Sequence, residues 1–251
     1  MRSSAIEVFL LGLSALPVVA HAEWLGRGEA GVAFASSNAS TKTNTFNAKF
    51  ELANQLDRWK HAFGASAVYA SSRDENNVRA LTSNRWEAHE QSDFNFREGG
   101  FWFENLRYES DEVGSFEYQA AATSGVGYKF FDTDDIKISV QVGAGYKAFR
   151  QRVVAPEVSE AEHDVIGSAA FDYQQSMTVN TSLSEKLAVE VGETNTSAQN
   201  DLVLQVKMSD VLALALGWQL RFNSNPGMRT STAAYERYDR LTTANFVYEF
   251  K

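Results

Sequence analysis

Residues Ser115 to Arg150 read SFEYQAAATSGVGYKFFDTDDIKISVQVGAGYKAFR. The first half alternates: Phe116, Tyr118, Ala120, Ala122, Val126, Tyr128 and Phe130 fall on one parity, and Glu117, Gln119, Thr123, Gly125, Gly127 and Lys129 on the other. The second half sets Ile136, Ile138, Val140, Val142, Ala144 and Tyr146 against Lys137, Ser139, Gln141, Gly143, Gly145 and Lys147. Successive side chains of a strand point to opposite faces, so each half predicts a strand with one oily and one polar face. Asp132, Thr133, Asp134 and Asp135 supply turn chemistry between them. Both strands are longer than the usual five or six residues of a globular strand. Long, two-faced, turn-linked strands predict an all-β fold: an antiparallel up-and-down transmembrane β-barrel.

Outward from this hairpin the same pattern recurs. Alternation predicts about twelve strands, near 24–36, 43–53, 58–72, 84–97, 100–110, 115–130, 136–151, 162–177, 183–193, 199–208, 211–223 and 238–250. Strand five, FWFENLRYES, alternates poorly, so its register around 100–112 stays open and a bulge is expected there. Every second link is short: Asn54 to Asp57, Arg97 to Gly100, Asp132 to Asp135, Thr178 to Ser182, and Ser209-Asp210. The others include Ser72 to Ser83, Gln151 to Ala161 and Asn223 to Arg237. Short turns at one end and long loops at the other are the habit of outer-membrane barrels, with the short turns in the periplasm.

Composition narrows the classes. The 251 residues include no Cys, so neither a disulfide framework nor thiol chemistry is available. The net charge of -9 argues against a nucleic-acid partner. Residues 1–22 look like a secretory signal: Arg2, the apolar run Val8 to Ala20, and a small-x-small site Ala20-His21-Ala22, with cleavage expected after Ala22. Residues 23–251 then form the barrel domain. The expected location is the outer membrane of a Gram-negative bacterium. Expected partners are its lipids, lipopolysaccharide and the barrel assembly machinery during insertion. A monomer is favoured, with the oligomeric state left open.

An arginine or lysine turned to lipid at the bilayer midplane costs about 2–4 kcal/mol, so the charged parity of each strand is assigned to the lumen. The candidate lumen-lining residues are Glu117, Lys129, Lys137, Lys147, Asp201, Lys207 and Arg221. Further lumen charges expected on the same ground include Lys49, Glu51, Glu87, His89, Asp172, Glu190 and Glu249. Gly125, Gly127, Gly143 and Gly145 strip side chains from one wall. Either they open a narrow waterway, or they only let the strands coil. Trp24, Trp59, Phe94, Phe96, Phe130, Tyr248 and Phe250 gather at the proposed periplasmic ends, as an interfacial aromatic belt would.

No catalytic, cofactor or metal site is predicted. His163-Asp164, with Glu160 and Glu162 near, reads as a solvated loop rim. No Ser lies in a GxSxG context. Asp111-Glu112 reads as a solvated turn.

Several segments taken together resemble a known family. They are GEAGVAFASSNASTKTNTFNAKF at 28–50, Asp57-Arg58-Trp59-Lys60-His61, the GVGYKFFDTDDIKISVQVGAGYK hairpin, SDVLALALGWQLRFNSNP at 209–226 and the terminal FVYEF. The chain resembles the salt-induced outer-membrane protein family (YdiY-like), whose function is unknown. The resemblance implies an outer-membrane barrel linked to salt or osmotic response, and it brings no catalytic residues. The functions expected are a narrow passive channel for ions or small polar solutes, or a structural stress-induced protein with a plugged lumen. An outer-membrane hydrolase ranks third.

Overall fold

The structure is a computed structural model that describes residues 24–37, 41–73, 78–154 and 159–250. The proposed signal segment 1–22 and its cleavage site lie outside the described residues. The described residues form twelve strands: β1 (Trp24–Ser37), β2 (Thr41–Leu56), β3 (Trp59–Arg73), β4 (Arg79–Asn95), β5 (Gly100–Asp111), β6 (Phe116–Asp132), β7 (Ile136–Gln151), β8 (Ala161–Ser176), β9 (Thr181–Val191), β10 (Thr196–Lys207), β11 (Leu212–Asn223) and β12 (Tyr238–Phe250). Each pairs antiparallel with its chain neighbours, and β12 returns to β1 to close the barrel. Closure pairs the two edge strands with each other, as a spanning sheet requires because lipid offers no hydrogen bonds to backbone groups. The closing ladder is short. It runs only from Gly26 opposite Phe250 to Gly31 opposite Asn245. The β6–β7 ladder runs from Phe116 opposite Gln151 to Asp132 opposite Lys137.

The start of β1, the end of β12 and the short turns share one end of the barrel, here the turn end; the other is the loop end. At the turn end Asp57 adopts φ of 52° and Gly99 φ of 71°, the left-handed conformations that tight strand-to-strand turns use. Thr133 closes the β6–β7 turn by donating its backbone N–H to the Ile136 carbonyl at 3.0 Å. The link expected over Ser72 to Ser83 is shorter than the sequence suggested. The strands extend to Arg73 and from Arg79, with a register shift between Ala70 and Ser71 absorbing the extra residue.

Strand β5 departs from expectation in an informative way. Its ladders to β4 and β6 run without a shift. The poor alternation is an inversion, not a bulge. Phe101 and Phe103 point inward and are 3% and 1% exposed, while Glu104 points outward and is exposed. The irregularities fall instead on β6 and β7, at Phe116/Tyr118 and Lys129/Phe131. The first shift turns Phe116 inward to meet Phe149 edge-on at 5.7 Å.

Candidate functional site: the ion-paired lumen

Parity and register decide which side chains share the lumen. Odd positions of β4 to β7, β10 and β11 face inward, together with even positions of β8 and β9; these residues line a cavity of about 370 Å³. Its wall carries Lys49, Glu51, Gln141, Asp172, Lys186 and Asp201.

Towards the loop end, side chains from well-separated strands meet. The Arg107 guanidinium on β5 donates to both carboxylate oxygens of Glu190 on β9, at 2.8 and 2.9 Å. Lys147 on β7 reaches the same carboxylate at 2.8 Å. Arg107 also lies 3.4 Å from Glu109. Glu109 in turn pairs with Arg221 on β11. In the ring order β5 and β11 are diametrically placed, so this pair spans the lumen. A second strut runs from Arg85 on β4 to Gln219 on β11 at 2.9 Å and to Asp239 on β12 at 3.1 Å. The central members are withdrawn from solvent: the Lys147 and Glu109 side chains are 4% and 5% exposed. Charges this buried are tolerated because each is paired and hydrogen-bonded.

The candidate residues are spread over three places. Lys147 and Arg221 belong to the belt of struts. Asp201 faces the lumen beside it and accepts from Gln199 and Gln219, each at 2.7 Å. Lys129, Lys137 and Lys207 sit at the turn-end mouth. Lys129 donates to Asn95 at 3.1 Å and lies 3.6 Å from Asp132. Lys207 lies 3.8 Å from Glu249, and Lys137 is exposed at the rim. Glu117 departs from the lumen face expected for it. At the loop end, the register shift at Phe116/Tyr118 leaves it as the extra residue of the ladder, 3.7 Å from Arg150 and 3.9 Å from Arg152. Arg150 itself lies over the ring of outward-facing Tyr118, its guanidinium 5.5 Å from the centroid.

Sequence reasoning missed Arg107 and Glu109, which form the centre of the belt. They lie on β5, where the inverted pattern hid the face. It also left open what fills the glycine wall. A methyl group at Gly127 would strike the Phe101 ring, and one at Gly143 the backbone of Ser124 and the Phe103 ring. Two aromatic rings thus cover the space that Gly127 and Gly143 vacate, while a methyl group at Gly125 or Gly145 would meet the backbone of the neighbouring strand.

The other groups singled out from sequence resolve into structure. His163 and Asp164 face opposite sides of β8. His163 stacks outward on Tyr146 at 5.6 Å. Asp164 is buried and accepts from the Thr194 backbone at 3.0 Å and its hydroxyl at 2.9 Å, fastening the β9–β10 turn. Asp111 accepts from the backbone N–H groups of Val113 and Gly114, each at 2.9 Å, as a turn-capping carboxylate does.

A closed antiparallel barrel of twelve strands, charged within and oily without, is the architecture of outer-membrane barrels. The chain belongs to a family described as "Protein of unknown function, DUF481", whose sequence profile matches residues 28–250. Comparison with curated proteins gives no match. Among solved structures, the NanC porin is similar with a TM-score of 0.51 at 9% identity, covering 91% of this chain and 100% of that one. The COG4313 outer membrane channel from Pseudomonas putida F1 has a TM-score of 0.47 at 11% identity, covering 94% and 96%. The translocator domain of autotransporter NalP from Neisseria meningitidis has a TM-score of 0.47 at 11% identity, covering 91% and 87%. At these identities the likeness is one of fold.

Proposed function

We propose that the protein is a narrow passive channel for ions or small polar solutes in the outer membrane of a Gram-negative bacterium. One observation carries this reading: the groups that bridge the lumen are side chains, Arg107, Glu109, Lys147, Glu190 and Arg221, standing beside a cavity whose wall carries further charges. Side chains change rotamer far more readily than strands unpair, so a lumen closed this way opens without unfolding. The fold shared with the NanC porin supports the reading, and so does the length of the strands. The salt-linked resemblance of the sequence leads us to place the channel in salt or osmotic response. Lipid and lipopolysaccharide surround the barrel in this reading, and the assembly machinery inserts it after cleavage behind Ala22. No enzymatic role is proposed.

A second reading has its own observation. Phe101 and Phe103 cover two of the wall glycines, Gly127 and Gly143, and the struts are buried, as in a barrel whose plugged lumen only stabilises it. Single-channel conductance of the folded protein in a planar bilayer separates the two. Steady openings whose ion selectivity shifts with Lys129→Glu and Lys147→Glu support the channel. Silence from a folded barrel, persisting after Glu109→Gln loosens the belt, supports the plug.

A further inference from the structure

The outer wall of β3, β4 and β5 breaks the rule that charges turn inward. Its rungs are set by register. Trp59, Phe94 and Trp102 form an aromatic rung at the turn end. His61, Ser92 and Glu104 form the next rung inward, and Phe63, Glu90 and Leu106 the one after. All lie on the parity opposite to the lumen-lining Gln91, His89 and Arg107. Tyr69, Trp86 and Tyr108 continue the same parity towards the loop end, so the polar rung lies between two sets of outward aromatic side chains. That is the band where lipid tails surround a barrel.

The hydrogen bonds there are half complete. The Ser92 hydroxyl donates its one proton to Glu90 Oε1 at 2.5 Å. His61 Nδ1, 2.7 Å from Ser92 Oγ, must therefore donate to it. Trp59 lies parallel to the His61 ring at 5.8 Å and holds it in place. His61 Nε2 is left without a partner among the described residues. The Glu104 carboxyl, exposed one strand beyond Ser92, has none among them either. Hydrocarbon supplies neither donor nor acceptor, and unpaired polar groups there mark a contact that lipid does not make.

We propose that this wall docks onto a second copy of the same chain. A membrane dimer of like-oriented barrels has its two-fold axis along the bilayer normal, and its interface is isologous. With β4 against β4, β3 of each copy meets β5 of the other. The side carrying His61 then meets the side carrying Glu104, twice. A proton held between Nε2 and the carboxyl satisfies both, whichever group formally owns it. The long glutamate side chain takes up the depth offset that strand tilt puts between them. Two rungs further, at Ala88, the walls are also complementary, since Ala65 on β3 meets Tyr108 on β5. The proposal rests on the membrane placement alone, and it holds whether the lumen conducts or is plugged. It departs from the monomer favoured by the sequence, which shows no interface because His61 and Ser92 stand far apart in the chain.

The test uses the full protein purified from membranes and placed in phospholipid vesicles, with subunits counted by single-molecule photobleaching. Pairs are expected. Glu104→Leu and His61→Leu should each weaken pairing about thirtyfold, by removing two symmetry-related intramembrane hydrogen bonds. His61→Glu with Glu104→His in one chain should restore it. The heat-modifiable gel shift of a folded barrel should survive in every variant, because none touches the lumen. The native chain has no Cys. Ala88→Cys, on β4 at the axis, should therefore yield an oxidised dimer, and Ala144→Cys on the outer face of β7 should not. Single copies at every protein-to-lipid ratio overturn the proposal, as does pairing that ignores both leucine substitutions, or a larger ring. A lipid amine held at Glu104 would give the first of these outcomes.

Discussion

Two polar clusters sit within the same barrel wall, one on each side of it. In the lumen, Arg107, Glu109, Lys147, Glu190 and Arg221 complete one another across strands. On the outer wall, Glu90, Ser92 and His61 form a chain that stops, and Glu104 stands apart. The same strands build both, since β4 and β5 carry inward and outward polar groups one residue apart. The difference shows what each environment demands. The interior supplies its own counter-charges from the opposite wall. The exterior must borrow them from another molecule.

Breaking the inner cluster on one side alone should have the largest effect. Glu109→Leu leaves Arg221 and Arg107 short of a buried carboxylate and is expected to cost about 3–5 kcal/mol. Equilibrium unfolding in denaturant with lipid vesicles reads this directly. Next in size is a charge placed on an oily outward position. Val140→Arg should cost about 2–4 kcal/mol near midplane. Gln141→Arg, one residue on and facing the lumen, should cost clearly less. The reverse order in the same assay would overturn the face assignment. Gly127→Val, which drives a branched side chain into the Phe101 ring, should cost about 1–3 kcal/mol by overpacking. Its failure to destabilise would mean the ring is free to leave that wall, and that the waterway reading regains ground. The smallest change is expected from Glu109→Leu with Arg221→Leu together. Replacing both partners of a buried pair by apolar groups is often neutral or stabilising. Arg107 keeps Glu190 in that double variant, so stability should fall within about 1 kcal/mol of the parent.

The sequence made the barrel legible because a two-residue period carries most of the assignment. Val140 beside Gln141, or Leu204 beside Gln205, needs no tertiary information to be placed in or out. Strand ends were likewise readable where turn residues such as Asp132-Thr-Asp-Asp135 punctuate the pattern. Alternation failed where a face was used against type. Phe101 and Phe103 turn inward because glycines on the neighbouring strands leave room for them, and Glu104 turns outward beside Ser92. It failed again at Glu117, where one extra residue in the ladder shifts the face. The belt was only half visible. Lys147 and Arg221 announce themselves as charges on clean strands. Which charges they meet depends on the number of strands between them, and no local pattern encodes that. His61 and Ser92 were invisible as a pair for the same reason: they become neighbours only when β3 folds back on β4.

The short closing ladder between β1 and β12 also sets an order of events. Every other ladder joins strands that follow one another in the chain, so each forms at little entropic cost once the previous strand is placed. The seam from Gly26 opposite Phe250 to Gly31 opposite Asn245 joins the two ends of the barrel chain, the most distant partners it contains. Contacts this remote in sequence form late, because the loop they close must first be organised by everything between. The barrel therefore grows as a curling sheet with two free margins. It closes only at its last step, through the shortest ladder among the described residues.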